Sequence, residues 1–302
     1  MAIQNKTFGL PYMGSKSGIA EWVVKSLPKA ETFVDLFGGG CAVTHAAIVS
    51  GKYKNIICND ITDSIFFFRD AIDGKFRNEN RWISRSDFEK LKHSDPYVRL
   101  CWSFGNNQKA YLYGKDIEPY KKAFHYAVVF QDISLFKELG IFIPKKAIEN
   151  SSQLQRRLNV KSYLNWLRKN KHAGDLQSLE RLQSLERLER LQSLESLERL
   201  QSLESLEFTR GDYRDVILPN NCVVYCDPPY RGTAEYLNDF DFNAFDNWCR
   251  DTSKVYPLFI SEYSMPCDFF RYSASNKRSL LNNSTNRVLN KVEYLWKHKD
   301  GI

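Results

Sequence analysis

The sequence predicts an α/β fold with a doubly wound sheet, and three observations carry that prediction. Short apolar runs recur that each stop at an acid: "TFVDLF" around Asp35, "NIICND" at Asp60, "LEFTRGDY" at Asp212 and "NCVVYCDPPY" at Asp227. The first two are joined by "GGG" and a helical "CAVTHAAIVSG", which makes a β-α-β unit. A chain of 302 residues, 43% hydrophobic and 14% aromatic, can bury one large core or two ordinary ones and is too apolar to be disordered.

Each element has its own justification. The first strand is rich in aromatic and β-branched residues and ends in a turn of Gly38, Gly39 and Gly40, which lets a ligand approach the backbone closely. The helix after it is closed by Gly51, and the second strand ends at Asp60, 20 residues beyond Gly40. Further strands are read over 206–213, over 223–226 and over 255–264, and 287–296 reads as one arm of a hairpin. Asp35, Asp60, Asp212 and Asp227 then lie at like ends of one sheet, where open α/β sheets put their ligand crevices.

The middle of the chain is different. "SRSDFEKLK" is helical, with Ser86 and Glu89 in a capping-box pattern, and an aromatic loop follows, "CWSFGNNQKAYLYGKDIEPYKKAFHY". Between Lys145 and Lys171 eight basic residues face one acid, Glu149, with Leu154, Leu158, Tyr163 and Trp166 interleaved, which fits an amphipathic basic helix or helix pair. Residues 176–206 carry leucine at every third position, eleven in all. On a helix a step of three drifts by about 60°, so these leucines spiral around the axis and do not form a heptad seam. Composition favours helix, helped by the Glu186/Arg190 and Glu195/Arg199 pairs, over a stacked solenoid. The near-perfect repetition points to expansion by slippage of the coding DNA.

Composition narrows the partners. A net charge of +7 permits an anionic partner such as nucleic acid. Seven cysteines without a C-x-x-C pair read as buried thiols of a reducing compartment, and no metal-ligand cluster is visible. With no leader and no run of 18 apolar residues, a cytoplasmic protein without membrane association is expected. The dinucleotide pattern G-x-G-x-x-G fails because Val43 stands at its third glycine, and no P-loop lysine is present. A nucleoside ligand follows, with Asp60 placed to accept from ribose hydroxyls.

The most informative stretch is Asp227, Pro228, Pro229 and Tyr230. The prolines fix φ near about −65° and offer no N–H, so the strand before them stops and the acid and tyrosine are presented at its carboxyl end.

In order along the chain, "PYMGSK" (11–16), "FVDLFGGG" (33–40), "ICND" (57–60), "FTRGDY" (208–213), "DPPY" (227–230), "FISEY" (259–263) and "NKVEYLW" (290–296) resemble the Dam-like DNA adenine N6-methyltransferases, which use S-adenosyl-L-methionine. The resemblance implies a Rossmann-like S-adenosylmethionine methyltransferase sheet with an inserted, mainly helical target-recognition domain and, in this chain, a Leu-rich repeat segment. It divides the chain into a catalytic domain of 1–64 and 207–302, a target-recognition domain of 65–175 and the repeat of 176–206. It implies that Tyr12, Lys16, Asp35, Phe37, Gly38, Gly39 and Gly40 surround the cofactor near its methionine part. Asp60 would bind its ribose, and Asp212 with Tyr213 its adenine. Asp227 and the Pro228 carbonyl would accept from the exocyclic amine of the substrate, beside Pro229, and Tyr230 would stack on the flipped base. Double-stranded DNA is the implied partner, with Arg99, Asn106, Asn107, Gln108, Lys109, Arg156 and Arg157 as candidate contacts that also read as ordinary surface residues.

The chain departs from the family in "GSK", where Gly-Gly-Lys is commoner, and in the repeat, which offers a surface for self-association. Rival readings are transfer to cytosine N4 or to a glutamine amide, or a catalytically silent DNA-binding or assembly protein. Asp at the head of the tetrapeptide and the motif order lean towards adenine.

Overall fold

A computed structural model describes residues 7–149, 151–169, 203–231, 240–278 and 290–302. The chain divides into two compact units, one of Met1–Gly74 with Leu194–Ile302 and one of Lys75–Ser193.

The first unit is built on a sheet of β1 (Thr32–Asp35), β2 (Asn55–Asp60), β3 (Ser205–Arg210), β4 (Cys222–Cys226), β5 (Leu258–Glu262), β6 (Phe269–Arg278) and β7 (Asn290–His298), in the order β3-β2-β1-β4-β5-β7-β6. The first five strands run parallel, and β7 enters antiparallel to both β5 and β6. From β1 the chain winds outward to β2 and β3, then returns to place β4 on the other side of β1. The order therefore reverses between β1 and β4, which is where such sheets open a crevice at their carboxyl ends. Both strands are buried along their whole length, which explains why they read as unbroken apolar runs and not as alternating ones.

Three helices precede the long excursion away from this unit: α1 (Ala20–Ser26), α2 (Ala42–Ser50) and α3 (Ser64–Ile72). Gly51 ends α2 in the left-handed region at φ 59°, its amide on the Ile48 carbonyl. The unit runs past residue 64 as far as Gly74, because α3 buries Ile65, Phe67, Phe68 and Ala71, and the Phe68 ring meets Phe208 of β3. The helix Phe242–Ser253 is capped by the Asp241 carboxylate and sets Phe245 and Cys249 into a core with Val34, Val224 and Ile260.

Two expectations about strands change. β3 stops at Arg210, short of the acid, because Asp212 turns its carboxylate onto the Arg214 amide and caps a 3-10 turn, Tyr213–Asp215. Ser205 and Leu206, the last residues of the leucine repeat, begin β3. The body of the repeat lies outside the described residues, and with it the choice between helix and solenoid.

The second unit is helical: α4 (Arg85–Leu91), α5 (Pro96–Cys101), α6 (Glu118–His125), α7 (Ser134–Glu138) and α8 (Gln153–Lys169). The cap of α4 is Ser84 and not Ser86; Ser84 accepts from the Asp87 amide, while Ser86 lies inside the helix. α6 continues into a π-turn, Tyr126–Phe130. Phe124, Val128, Phe136, Val160, Leu164 and Leu167 form its core. On α8 the residues between these leave Leu154, Leu158 and Trp166 exposed.

Cys267 is exposed, the other six cysteines are buried, and no disulfide joins any of them. Among the described residues no helix is long and apolar enough to cross a membrane.

Candidate active site

The loops that follow β1, β2, β3 and β4 converge on one crevice of about 570 Å³, within the range of small-ligand sites. Its walls include Tyr12, Lys16, Asp35, Phe37, the three glycines, Asp60, Asp212, Tyr213, Asp227, both prolines and Tyr230. Every catalytic and cofactor residue read from the sequence thus borders a single space.

The turn after β1 is stitched tightly. Gly38 donates to the Asn59 carbonyl at 2.8 Å, Leu10 donates to the Gly40 carbonyl at 2.7 Å, and the Asn59 side chain donates to the Leu36 and Gly211 carbonyls. Glycine is required here by protein contacts as well as by ligand access. A Cβ on Gly38 would lie 2.4 Å from Cys58 Sγ, and one on Gly40 would lie 2.4 Å from Tyr12 Cβ.

Asp35 is buried at the end of β1. Its Oδ2 accepts the Thr44 hydroxyl at 2.7 Å, and its Oδ1 has no hydrogen-bond partner among the described residues. Burial pushes its pKa up to about 7, against the pull of Thr44 and with the help of the negative charges of Asp227 and Asp60. Asp60 is largely occupied by the protein: Oδ2 accepts from the Gly39 amide at 2.8 Å, and Oδ1 accepts from the amide and hydroxyl of Thr62 at 2.8 and 2.7 Å. Any ribose hydroxyl would use the lone pairs these bonds leave.

At the far end Tyr213 lies 5.2 Å from Phe37 in a tilted pair, with Phe240, Phe245 and Trp248 around it, and Phe37, Tyr213 and Phe240 of this aromatic cluster line the crevice. Asp212 beside it is held by Arg214 through two bonds of 2.8 and 2.7 Å, which keep its carboxyl below the usual range.

The tetrapeptide after β4 is fixed by its neighbours. Arg231 bonds Asp246 at 2.5 Å and the Ser264 carbonyl at 3.0 Å, and its amide donates to Glu262 Oε2 at 3.1 Å. Asp227 Oδ1 is 2.8 Å from Lys16 Nζ, which also reaches Glu293 Oε1 at 3.3 Å. The Tyr230 hydroxyl donates to the same Glu293 oxygen. Burial lowers the affinity of Lys16 for its proton, but the two carboxylates outweigh it and its pKa lies above the ordinary value.

Glu262 and Glu293, both completely buried, were not singled out from the sequence. Each carried a signal: Glu262 ends a strand as Asp35 and Asp60 do, and Glu293 is two residues from the buried Leu295, hence on the same face of β7.

The candidate nucleic-acid residues belong to the second unit. Arg156 is not available to a phosphate: it is buried, bonded to the Val128 carbonyl at 2.6 Å and the Ser151 carbonyl at 2.5 Å. Asn107 accepts the amides of Lys109 and Ala110 at 2.9 and 3.0 Å and so shapes its own loop. That loop, flanked by the Ser103–Tyr111 bridge, carries an exposed Phe104 and Lys109 with Asn106 and Gln108 both at φ 61°. Arg99 and Arg157 are half-buried.

A seven-stranded, mostly parallel sheet that reverses between β1 and β4, with a glycine turn on one side and an Asp-Pro-Pro-Tyr turn on the other, is consistent with a Rossmann-like α/β methyltransferase. Residues 12–134 match the family described as D12 class N6 adenine-specific DNA methyltransferase, and no curated protein matches the chain. This match supports a Dam-like N6 adenine-specific DNA methyltransferase, an enzyme that methylates the N6 amine of adenine in DNA. Adenine thereby prevails over cytosine N4, a glutamine amide and a silent assembly role.

Proposed function

We propose that the crevice holds S-adenosyl-L-methionine and that Asp227, the Pro228 carbonyl and Tyr230 receive an adenine flipped out of double-stranded DNA at a specific site. The observation that carries this reading is the single space shared by the two turns, in which Asp35 and Asp227 close opposite sides of the sheet's switch point. The cofactor supplies a sulfonium methyl group. Asp35, with a buried carboxylate oxygen still unpartnered, suits its ammonium group, and the apolar wall of Phe37, Tyr213 and Phe240 suits its adenine.

The exocyclic amine of adenine is a poor nucleophile because its lone pair is delocalised into the ring. Acceptors at Asp227 and Pro228 that hold its two N–H groups favour a pyramidal nitrogen with its lone pair directed at the methyl group. Pro228 and Pro229 make those acceptors rigid, so the work is orientation and electrostatics, with no covalent enzyme intermediate. Tyr230 offers an aromatic face that offsets part of the stacking lost when the base leaves the duplex. In the second unit, the loop of Phe104 and Lys109 with Asn106, Gln108, Arg99 and Arg157 is the proposed DNA-reading region, and the leucine repeat a proposed self-association surface.

Methyl transfer from labelled S-adenosyl-L-methionine to unmethylated genomic DNA, followed by nucleoside analysis and mapping, tests the reading. N6-methyladenine at one defined motif is expected, and Asp227→Ala should abolish it while the protein still folds. A purified Asp227→Ala enzyme with full activity would refute the assignment.

A further inference from the structure

The ammonium of Lys16 is shared by two carboxylates, at 2.8 Å from Asp227 and 3.3 Å from Glu293. Little water reaches the group: the side chains of Lys16, Asp227 and Glu293 are 7%, 18% and 0% exposed. The same ammonium lies 4.3 Å from the centroid of the Tyr230 ring, which Tyr263 meets edge-on at 4.7 Å. This arrangement opposes the chemistry assigned to it. A carboxylate neutralised by an ammonium is a weaker acceptor for an amine N–H, and a cation over the tyrosine face stands where a base would stack.

We propose that Glu293 is a positioning residue that draws Lys16 away from Asp227 when the base enters, so that the lysine alternates between two buried carboxylates. The inference rests on the assignment of Asp227 and Tyr230 to the substrate base. Glu293 is already the second partner of Lys16, so the move keeps the ammonium paired throughout and exposes no bare charge in the interior. Its Oε2 is buried and accepts no hydrogen bond among the described residues, so the bond surrendered at Asp227 has a replacement waiting. The carboxylate is also firmly anchored: β7 is paired on both sides, with Tyr294 opposite Glu262 of β5 and Glu293 opposite Ser275 of β6. No proton changes hands; the lysine stays charged in both positions.

Glu293→Gln separates charge from shape. The amide oxygen still accepts the Tyr230 hydroxyl, but Lys16 is left with Asp227 as its only anionic partner, and the acceptor stays covered. Single-turnover methylation of duplex DNA by the full-length enzyme reads this out for Glu293→Gln, Glu293→Asp, Lys16→Met, the Lys16→Met/Glu293→Gln double variant and Asp227→Ala. Glu293→Gln should slow methyl transfer about tenfold or more with the dissociation constant for the cofactor unchanged, and Glu293→Asp should lose less. On the Lys16→Met background the glutamine substitution should change the rate less than about twofold, because its effect runs through the lysine. A wild-type rate for Glu293→Gln, or the same loss on both backgrounds, overturns the proposal, as does a larger loss for Glu293→Asp than for Glu293→Gln. Should Glu293→Gln fail to fold, Glu293→Asp and the Lys16→Met/Glu293→Asp double variant decide: a loss with Lys16 present that disappears on the Lys16→Met background supports the proposal, and an equal loss, or none, on both backgrounds overturns it. An active Asp227→Ala enzyme removes the assignment underneath; an inactive one beside a fully active Glu293→Gln removes this inference alone.

Discussion

Replacing Asp35 with asparagine isolates one titration that should govern both stability and cofactor binding. In the unfolded chain Asp35 titrates near 3.8, and in the fold burial raises it to about 7. The folded state therefore holds its proton over a range in which the unfolded state has lost it. The contribution of Asp35 to stability is complete below the unfolded value and is lost as pH rises through about 7. At about 1.4 kcal/mol per pH unit, the loss accumulated between about pH 5.5 and about pH 8 amounts to about 2 kcal/mol. Asp35→Asn lacks this titration, so urea unfolding of both proteins at the two pH values should show wild type losing about 2 kcal/mol relative to the variant. Cofactor binding runs the other way, because an ionised Asp35 attracts an ammonium group. The wild-type dissociation constant for S-adenosyl-L-methionine should be about tenfold weaker at about pH 6 than at about pH 8, and flat for Asp35→Asn. Parallel pH profiles for the two proteins in both assays would refute the reasoning.

Other substitutions probe the remaining parts. Gly40→Ala drives a methyl group to 2.4 Å from Tyr12 Cβ, so the turn must shift; about 1–3 kcal/mol of overpacking strain and a cofactor dissociation constant raised about tenfold are expected by calorimetry. Arg156→Ala leaves the carbonyls of Val128 and Ser151 without their donor and should cost about 1–3 kcal/mol in denaturant unfolding, with no change in the salt dependence of DNA binding. Lys109→Ala should do the reverse, leaving stability within about 0.5 kcal/mol and reducing the slope of log K against log salt by about 1.

The parts of the molecule that sequence made legible are those ruled by local chemistry. Apolar runs cut short by acids located β1, β2 and β4, Gly51 marked the end of α2, and two prolines marked where Asp227 had to emerge. What escaped was set by distant partners. Glu293 sits in a strand whose polar residues would ordinarily face solvent, and only the burial of that face of β7 makes it a partner of Lys16. Arg156 read as one more surface cation of a basic helix. Its role depends on a π-turn in a different helix, which turns the Val128 carbonyl towards it. Asp60 is an intermediate case: its place was evident, but not that its oxygens already hold the Gly39 amide and Thr62.

The pairing of β2 with β3 has a consequence for how this gene can change. Asn55 and Ser205 are neighbours in the sheet although 150 positions apart in the chain, and almost all of the leucine repeat falls between them. Most of that connection folds as a second compact unit, so the β2–β3 ladder is set by the residues in register and not by the number of residues between them. Gain or loss of a repeat during replication is therefore nearly silent to the β2–β3 register, and selection on the catalytic sheet exerts almost no force on repeat number. A change of repeat number would lengthen or shorten the connection without altering any residue that lines the crevice.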